Sequence, residues 1–137
     1  MTAVTYLLNP NHGDVERTID SLRDYCLSAG FKKTFIFEVS VCIAEALNNI
    51  IEHTFGTATD RNSMILLSCK FTADQLSMEL KHKAPKFEIS LVEQDDLLAL
   101  SGRGLFIMQS WLDEFDYKHQ DGVNELKMLK YFASSLK

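Results

Sequence analysis

An excess of basic residues is the first thing this sequence lacks. Lys and Arg number 14 against 19 Asp and Glu, giving a formal charge of -5 and a pI near 5.3. A general nucleic-acid binder needs clustered cations for its phosphate contacts, so direct nucleic-acid binding is excluded as a function class. Binding a nucleotide through a metal ion and backbone amides is not. Long apolar runs are also missing, and none approaches the roughly 18 residues that a transmembrane helix requires. The start, Met1-Thr2-Ala3-Val4-Thr5-Tyr6, lacks the basic head and apolar centre of a signal peptide. These absences predict a cytoplasmic protein with no membrane partner. Cysteine is scarce: Cys26, Cys42 and Cys69 are odd in number and set among apolar residues. They read as reduced core thiols, without the spacing of a metal site. Repeats, low-complexity tracts and linkers are absent, which leaves one domain over residues 1–137.

What is present is an ordinary globular composition, 46% hydrophobic and 24% charged over 137 residues, enough for one real core. The most informative stretch runs from Glu45 to His53, Glu-Ala-Leu-Asn-Asn-Ile-Ile-Glu-His. Glu45, Asn49 and His53 recur every fourth residue and so line one stripe of a helix. Val39, Ile43, Ala46 and Ile50 form an apolar stripe beside it, fit to be the core face. A carboxylate, an amide and an imidazole therefore border the buried face. Such groups are either hydrogen-bonded or turned toward a ligand, because burying one unpaired costs roughly 1–3 kcal/mol.

Taken in order, Val4 to Leu8 reads as a strand stopped by Asn9-Pro10-Asn11-His12-Gly13. Asp14 to Ala29 has helical spacing at Val15, Ile19, Leu22 and Cys26, with Gly30 as its stop. The central helix runs from Lys32 or Lys33 to Thr54. Met64 to Phe71 and Leu76 to Lys81 form a hairpin through Thr72-Ala73-Asp74-Gln75. Lys83 to Ser101 is irregular, and Leu105 to Leu112 is a helix. Glu114 to His119 and Glu125 to Phe132 close the chain as a hairpin turned at Asp121-Gly122. Strands meeting through hairpins, with helices between the pairs, predict an α/β (α+β) two-layer sandwich: a mixed, mostly antiparallel sheet with three helices on one face.

A second chemical stretch is Ser101-Gly102-Arg103-Gly104-Leu105-Phe106-Ile107-Met108. Two glycines flanking one residue before a helix let backbone approach a ligand, and the helix start suits phosphate. A plain tight turn explains such a motif as well. It is neither a P-loop, since no Gly-Lys-Ser/Thr follows, nor a dinucleotide fingerprint, since the third glycine is missing.

Together the two stretches change the reading. A helix with Glu-x-x-x-Asn-x-x-x-His, then a hairpin, a loop, and Gly-Arg-Gly-Leu-x-Ile-Met opening a further helix resembles the histidine-kinase-like ATPase superfamily, whose fold is the Bergerat fold. Within it the chain is most similar to the small bacterial anti-sigma-factor serine kinases, and Leu112-Asp113-Glu114-Phe115-Asp116-Tyr117 continues that likeness. The short loop before the helix fits the same branch. The resemblance implies ATP and Mg²⁺ as cofactors. It implies Glu45 as the general base toward the attacking hydroxyl and Asn49 as the Mg²⁺ ligand. His53 would pack or support the phosphate side. Gly102, Arg103 and Gly104, running into Leu105 and Phe106, would receive phosphate, with Arg103 a source of charge or a solvated loop residue.

One run departs from the family. Its Asp-x-Gly box falls on Lys81-His82-Lys83-Ala84-Pro85-Lys86-Phe87, so His82 stands for the aspartate that accepts from the adenine amino group, and Ala84 for the glycine. A histidine accepts only through an unprotonated ring nitrogen. Gly122-Val123-Asn124 also lacks the family's threonine. Three readings follow: an ATP-dependent serine kinase acting on a small anti-sigma-factor antagonist and binding a sigma factor, with room for a homodimer; a non-catalytic binding module with a degenerate nucleotide site; and a phosphatase accessory or signalling subunit outside transcription.

Overall fold

Alternation of period two builds a one-sided sheet. The computed structural model describes residues 2–51, 64–83 and 108–132. Its strands are β1 (Thr2–Leu8), β2 (Ile65–Phe71), β3 (Gln75–Lys83), β4 (Glu114–Gln120) and β5 (Val123–Tyr131), and its helices are α1 (His12–Ser28) and α2 (Lys33–Ile50). The sheet order is β1-β2-β3-β5-β4, and every pairing among the described strands is antiparallel. The mixed component that the sequence left open is absent from these five strands.

One face of the sheet is apolar. Ile65, Leu67, Cys69, Leu76, Met78, Leu80, Leu126 and Met128 are buried on it, under Leu22 and Cys26 of α1 and the apolar stripe of α2. Val39, Ile43, Ala46 and Ile50 are all buried, as their spacing required. The opposite face carries charge in cross-strand pairs. Lys81 and Lys118 flank Glu125 at 3.9 and 3.8 Å, and Lys127 stands 3.8 Å from Glu79. Opposite charges directly across a ladder support its register, and a charged outer face faces solvent.

The sandwich has two unlike ends. At one, Phe31 stacks on Phe35 at 4.8 Å and meets Phe132 edge-on at 4.8 Å, with Phe71 at 5.5 Å. Gly30, at φ 90°, turns the chain there from α1 into α2. At the other end the chain leaves β1 and enters α1 through three residues. Asn11 caps α1 by accepting from the Asp14 amide at 2.8 Å, which is why the helix begins at His12 rather than Asp14. Residues 108–111 are helical, and Met108 joins the core. The expected helix from Leu105 is described over that part alone. The Asp121-Gly122 turn has positive φ at both residues, 55° and 77°, as a two-residue type I′ hairpin needs.

β3 runs two residues beyond the strand expected from the sequence, because it is paired on both sides: Ile65 with His82 on β2, and Lys83 with Val123 on β5. His82 is thus a sheet residue facing the core rather than the start of a loop.

Candidate functional site

The polar end of the sandwich is built from one row across the inner face of the sheet. Leu8, Ile65, His82, Asn124 and His119 are successive neighbours in register. The first two are apolar and the last three are not. Asn124 is 1% exposed and His82 4%, so their polar atoms answer to each other instead of to water. The Tyr117 hydroxyl donates to Asn124 Oδ1, and His119 Nδ1 lies 3.1 Å from the same oxygen. With Oδ1 accepting, the amide turns Nδ2 toward His82 Nε2, 3.5 Å away. Burial, reinforced by neighbouring His119, pushes the His82 imidazole down to about 4. It is therefore neutral near pH 7, and Nε2 is the nitrogen that can accept from the amide.

The helices reach this end from above. α2 presents Glu45 and Asn49 half-buried in its last turns, between the buried Ile43, Ala46, Leu47 and Ile50. The next residue back, Asn48, ties α2 to the start of α1 through a 3.0 Å contact between its Oδ1 and His12 Nδ1. The α1 start is stiffened in turn. Asp14 accepts from the Asn9 amide at 2.9 Å and pairs with Arg17, and the Asn9 bond leads in holding its carboxyl below the usual range. Glu45 and Asn49 are thereby held at the same end as the His82 row. His53, Ala84, Gly102, Arg103, Gly104, Leu105 and Phe106 lie outside the described residues.

The donor set fits a hard cation held jointly with a ligand. Among the described residues no three His, Cys, Asp or Glu side chains converge, so the protein alone offers no closed cage. An amide oxygen at Asn49, with a carboxylate one turn away at Glu45, suits Mg²⁺, which keeps waters and shares substrate phosphates. Thiol chemistry does not enter. Cys26 and Cys42 are pushed up to about 11, and Cys69 to about 12, by burial, which leaves them inert core thiols.

Sequence reasoning missed Asn124 as a partner of His82, and missed His119, Tyr117 and the His12–Asn48 tie. The first three were legible in the alternation. Counting by twos from Met128 and Leu126 reaches Asn124, and β4 alternates Phe115, Tyr117 and His119 on its partly buried side. The His12–Asn48 contact joins residues 36 apart in sequence and left no local signal.

Comparison with known proteins bears on the fold and the family. The serine-protein kinase RsbW of Listeria innocua is 22% identical over 121 residues, 81% of this chain and 75% of that protein. The serine/threonine-protein kinase BtrW of Bordetella bronchiseptica is 25% identical over 103 residues, 71% of each chain. Among solved structures, the RsbU and RsbW domains of Rv1364c from Mycobacterium tuberculosis superpose with a TM-score of 0.70 at 15% identity, over 95% of this chain and 32% of that one. The chain thus spans about a third of that larger protein. A chain of the SiaB-SiaC complex from Pseudomonas aeruginosa gives 0.67 at 13% identity, over 93% of this chain and 89% of that one. The model of the histidine kinase-like ATPase domain matches residues 8–130, and with most of the sequence inside that match the chain belongs to the histidine kinase-like ATPase family.

Proposed function

We propose that this chain binds ATP with Mg²⁺ at the polar end of the sandwich and serves as a regulatory serine kinase, phosphorylating a small antagonist protein in a partner-switching system. The observation that carries the reading is the pair Glu45 and Asn49, half-buried on the last turns of α2 at the end where the buried row of His82, Asn124 and His119 crosses the sheet. Relatives named as serine-protein kinases support the reaction class, and the SiaB-SiaC complex supports a protein partner.

Asn49 supplies the amide oxygen that would hold Mg²⁺, an ion that neutralises phosphate charge when bound. Glu45, on the same helix stripe, accepts the proton of the attacking serine hydroxyl. Its carboxylate sits half-buried at the rim of the core, within reach of a hydroxyl brought to that end of the helix. Gly102-Arg103-Gly104 is assigned to the phosphates by sequence alone. The base falls to the His82 row.

That row also favours a second reading. A neutral imidazole committed to Asn124 cannot accept as a carboxylate would, which suits a binding module that keeps the fold and loses tight nucleotide binding. Titration calorimetry with ATP and Mg²⁺, followed by labelled phosphate transfer to an antagonist serine, separates the two. Metal-dependent binding with transfer upholds the kinase; neither binding nor transfer under any condition leaves the binding module.

A further inference from the structure

α2 is more apolar than its own core requires. Beyond the residues it buries, Phe37, Val41 and Ala44 recur at helical spacing on its outer side, and Phe37 is 61% exposed. A helix hydrophobic all round is normally covered on every side. Here the outer side forms one wall of an open groove of about 650 Å³ against α1, whose wall includes Leu27, itself 53% exposed. Arg23 from α1 and Lys33 from α2 flank it, and among the described residues that line it none is acidic. In a chain of net charge -5 the described lining of this groove carries only positive charge.

The lining argues against a small molecule. Ser40, the one hydroxyl among the described lining residues, donates to the Ile36 carbonyl at 2.7 Å. What remains is apolar surface and two flexible cations, which cannot fix the orientation of a metabolite. An exposed aromatic and aliphatic strip edged by arginine is instead the anatomy of a protein interface. A bilayer surface fits poorly, because the apolar strip lies in a groove between two helices, a shape that suits a rod-like helix better than a flat membrane.

We propose that the α1–α2 groove is a docking site for an acidic amphipathic helix of a partner protein, its apolar face on Leu27, Phe37 and Val41 and its carboxylates on Arg23 and Lys33. Two cations that face no acid in the groove attract carboxylates and repel a basic helix, so charge sets partner choice while the apolar strip supplies affinity. The site is separate from the nucleotide end and stands whether or not ATP is bound.

The test uses the full chain and a fluorescein-labelled helical peptide about 16 residues long, roughly four turns, with leucines on one face and glutamates flanking them. Its counterpart carries lysines instead. The acidic peptide should bind at least about tenfold more tightly, the equivalent of 1.4 kcal/mol. Arg23→Glu with Lys33→Glu should reverse the preference, and Phe37→Ser should remove binding while the circular dichroism spectrum stays that of the folded chain. Trp111, whose ring lies 5.9 Å from Phe37, is the single tryptophan and gives a second readout. No binding, or binding indifferent to peptide charge, overturns the proposal. So does sedimentation with phosphatidylserine vesicles through Phe37. So does a dimer, seen by ultracentrifugation, that Phe37→Ser dissolves, because the occupant would then be a second copy of the chain.

Discussion

At the scale of single residues, Glu45 and Asn49 share a helix stripe, and the proposed kinase reading gives them separable tasks. Glu45→Gln keeps shape and hydrogen-bonding capacity and removes the proposed base. Phosphate transfer should therefore fall by roughly 10²–10⁴ while ATP affinity holds. Asn49→Ala removes the amide oxygen, so the Mg²⁺-dependent part of nucleotide affinity should vanish and the metal-free part should persist. Transfer rates and calorimetry with and without Mg²⁺ read the two effects apart. Equal losses of binding in both variants would mean that the helix end had been disturbed and no separate role is supported. The neighbouring Asn48 supplies the control for that disturbance, because its tie to His12 is structural.

At the scale of elements, one buried cation among the described residues adds a polar tie between the sheet and its helices. Lys130 of β5 is 9% exposed. It donates to the Trp111 carbonyl at 2.7 Å and pairs with Glu38 of α2 at 2.8 Å, joining a strand, a helix and the helical turn at residues 108–111. Deleting either partner is not symmetrical. Glu38→Ala strands a buried ammonium with one carbonyl for company and should cost about 1–3 kcal/mol. Lys130→Met frees Glu38, whose side chain is 36% exposed and can be hydrated, and replaces the charge with apolar volume, so it should cost less. Urea unfolding of both variants gives the order, and a costlier Lys130→Met contradicts the account. The same strand shows what the sequence disclosed. Hairpins, the Asp121-Gly122 turn and the core stripe of α2 were legible because each rests on local spacing or on φ preference. The end of β3 was not, because pairing from both neighbours carries a strand past residues, Lys81 to Lys83, whose own preferences are neutral. Lys130 and Asn124 were obscured for a related reason: a polar residue on an apolar face looks like an error in alternation until its partners from distant segments are known. At the candidate site, the half-buried placement of Glu45 and Asn49 on α2 was legible from their four-residue spacing, whereas the network around His82 depends on register across three strands.

For the molecule as a whole, the buried row couples folding to pH. His82 titrates at about 4 in the folded chain, against 6.5 for an exposed imidazole, because burial opposes its charged form. The unfolded chain binds a proton at this residue as pH falls below 6.5, and the folded chain does not until about 4. Stability tied to His82 is therefore complete above pH 6.5 and is lost progressively between 6.5 and about 4, with a full span on the order of 3 kcal/mol. Asp14 acts in a different window. Its folded value is lowered from 3.8, so its contribution is present above that pH and fades only below it. The interval between 6.5 and about 4 thus isolates the histidine from that carboxylate. Urea unfolding from pH 7.5 to 4.5 should show the midpoint falling steadily in the unmodified chain. His82→Gln retains a polar side chain of similar reach toward Asn124 but cannot charge, and its curve should be flatter across the same interval even though it starts lower. Parallel slopes in the two proteins would show that His82 is not the group that couples the fold to acid.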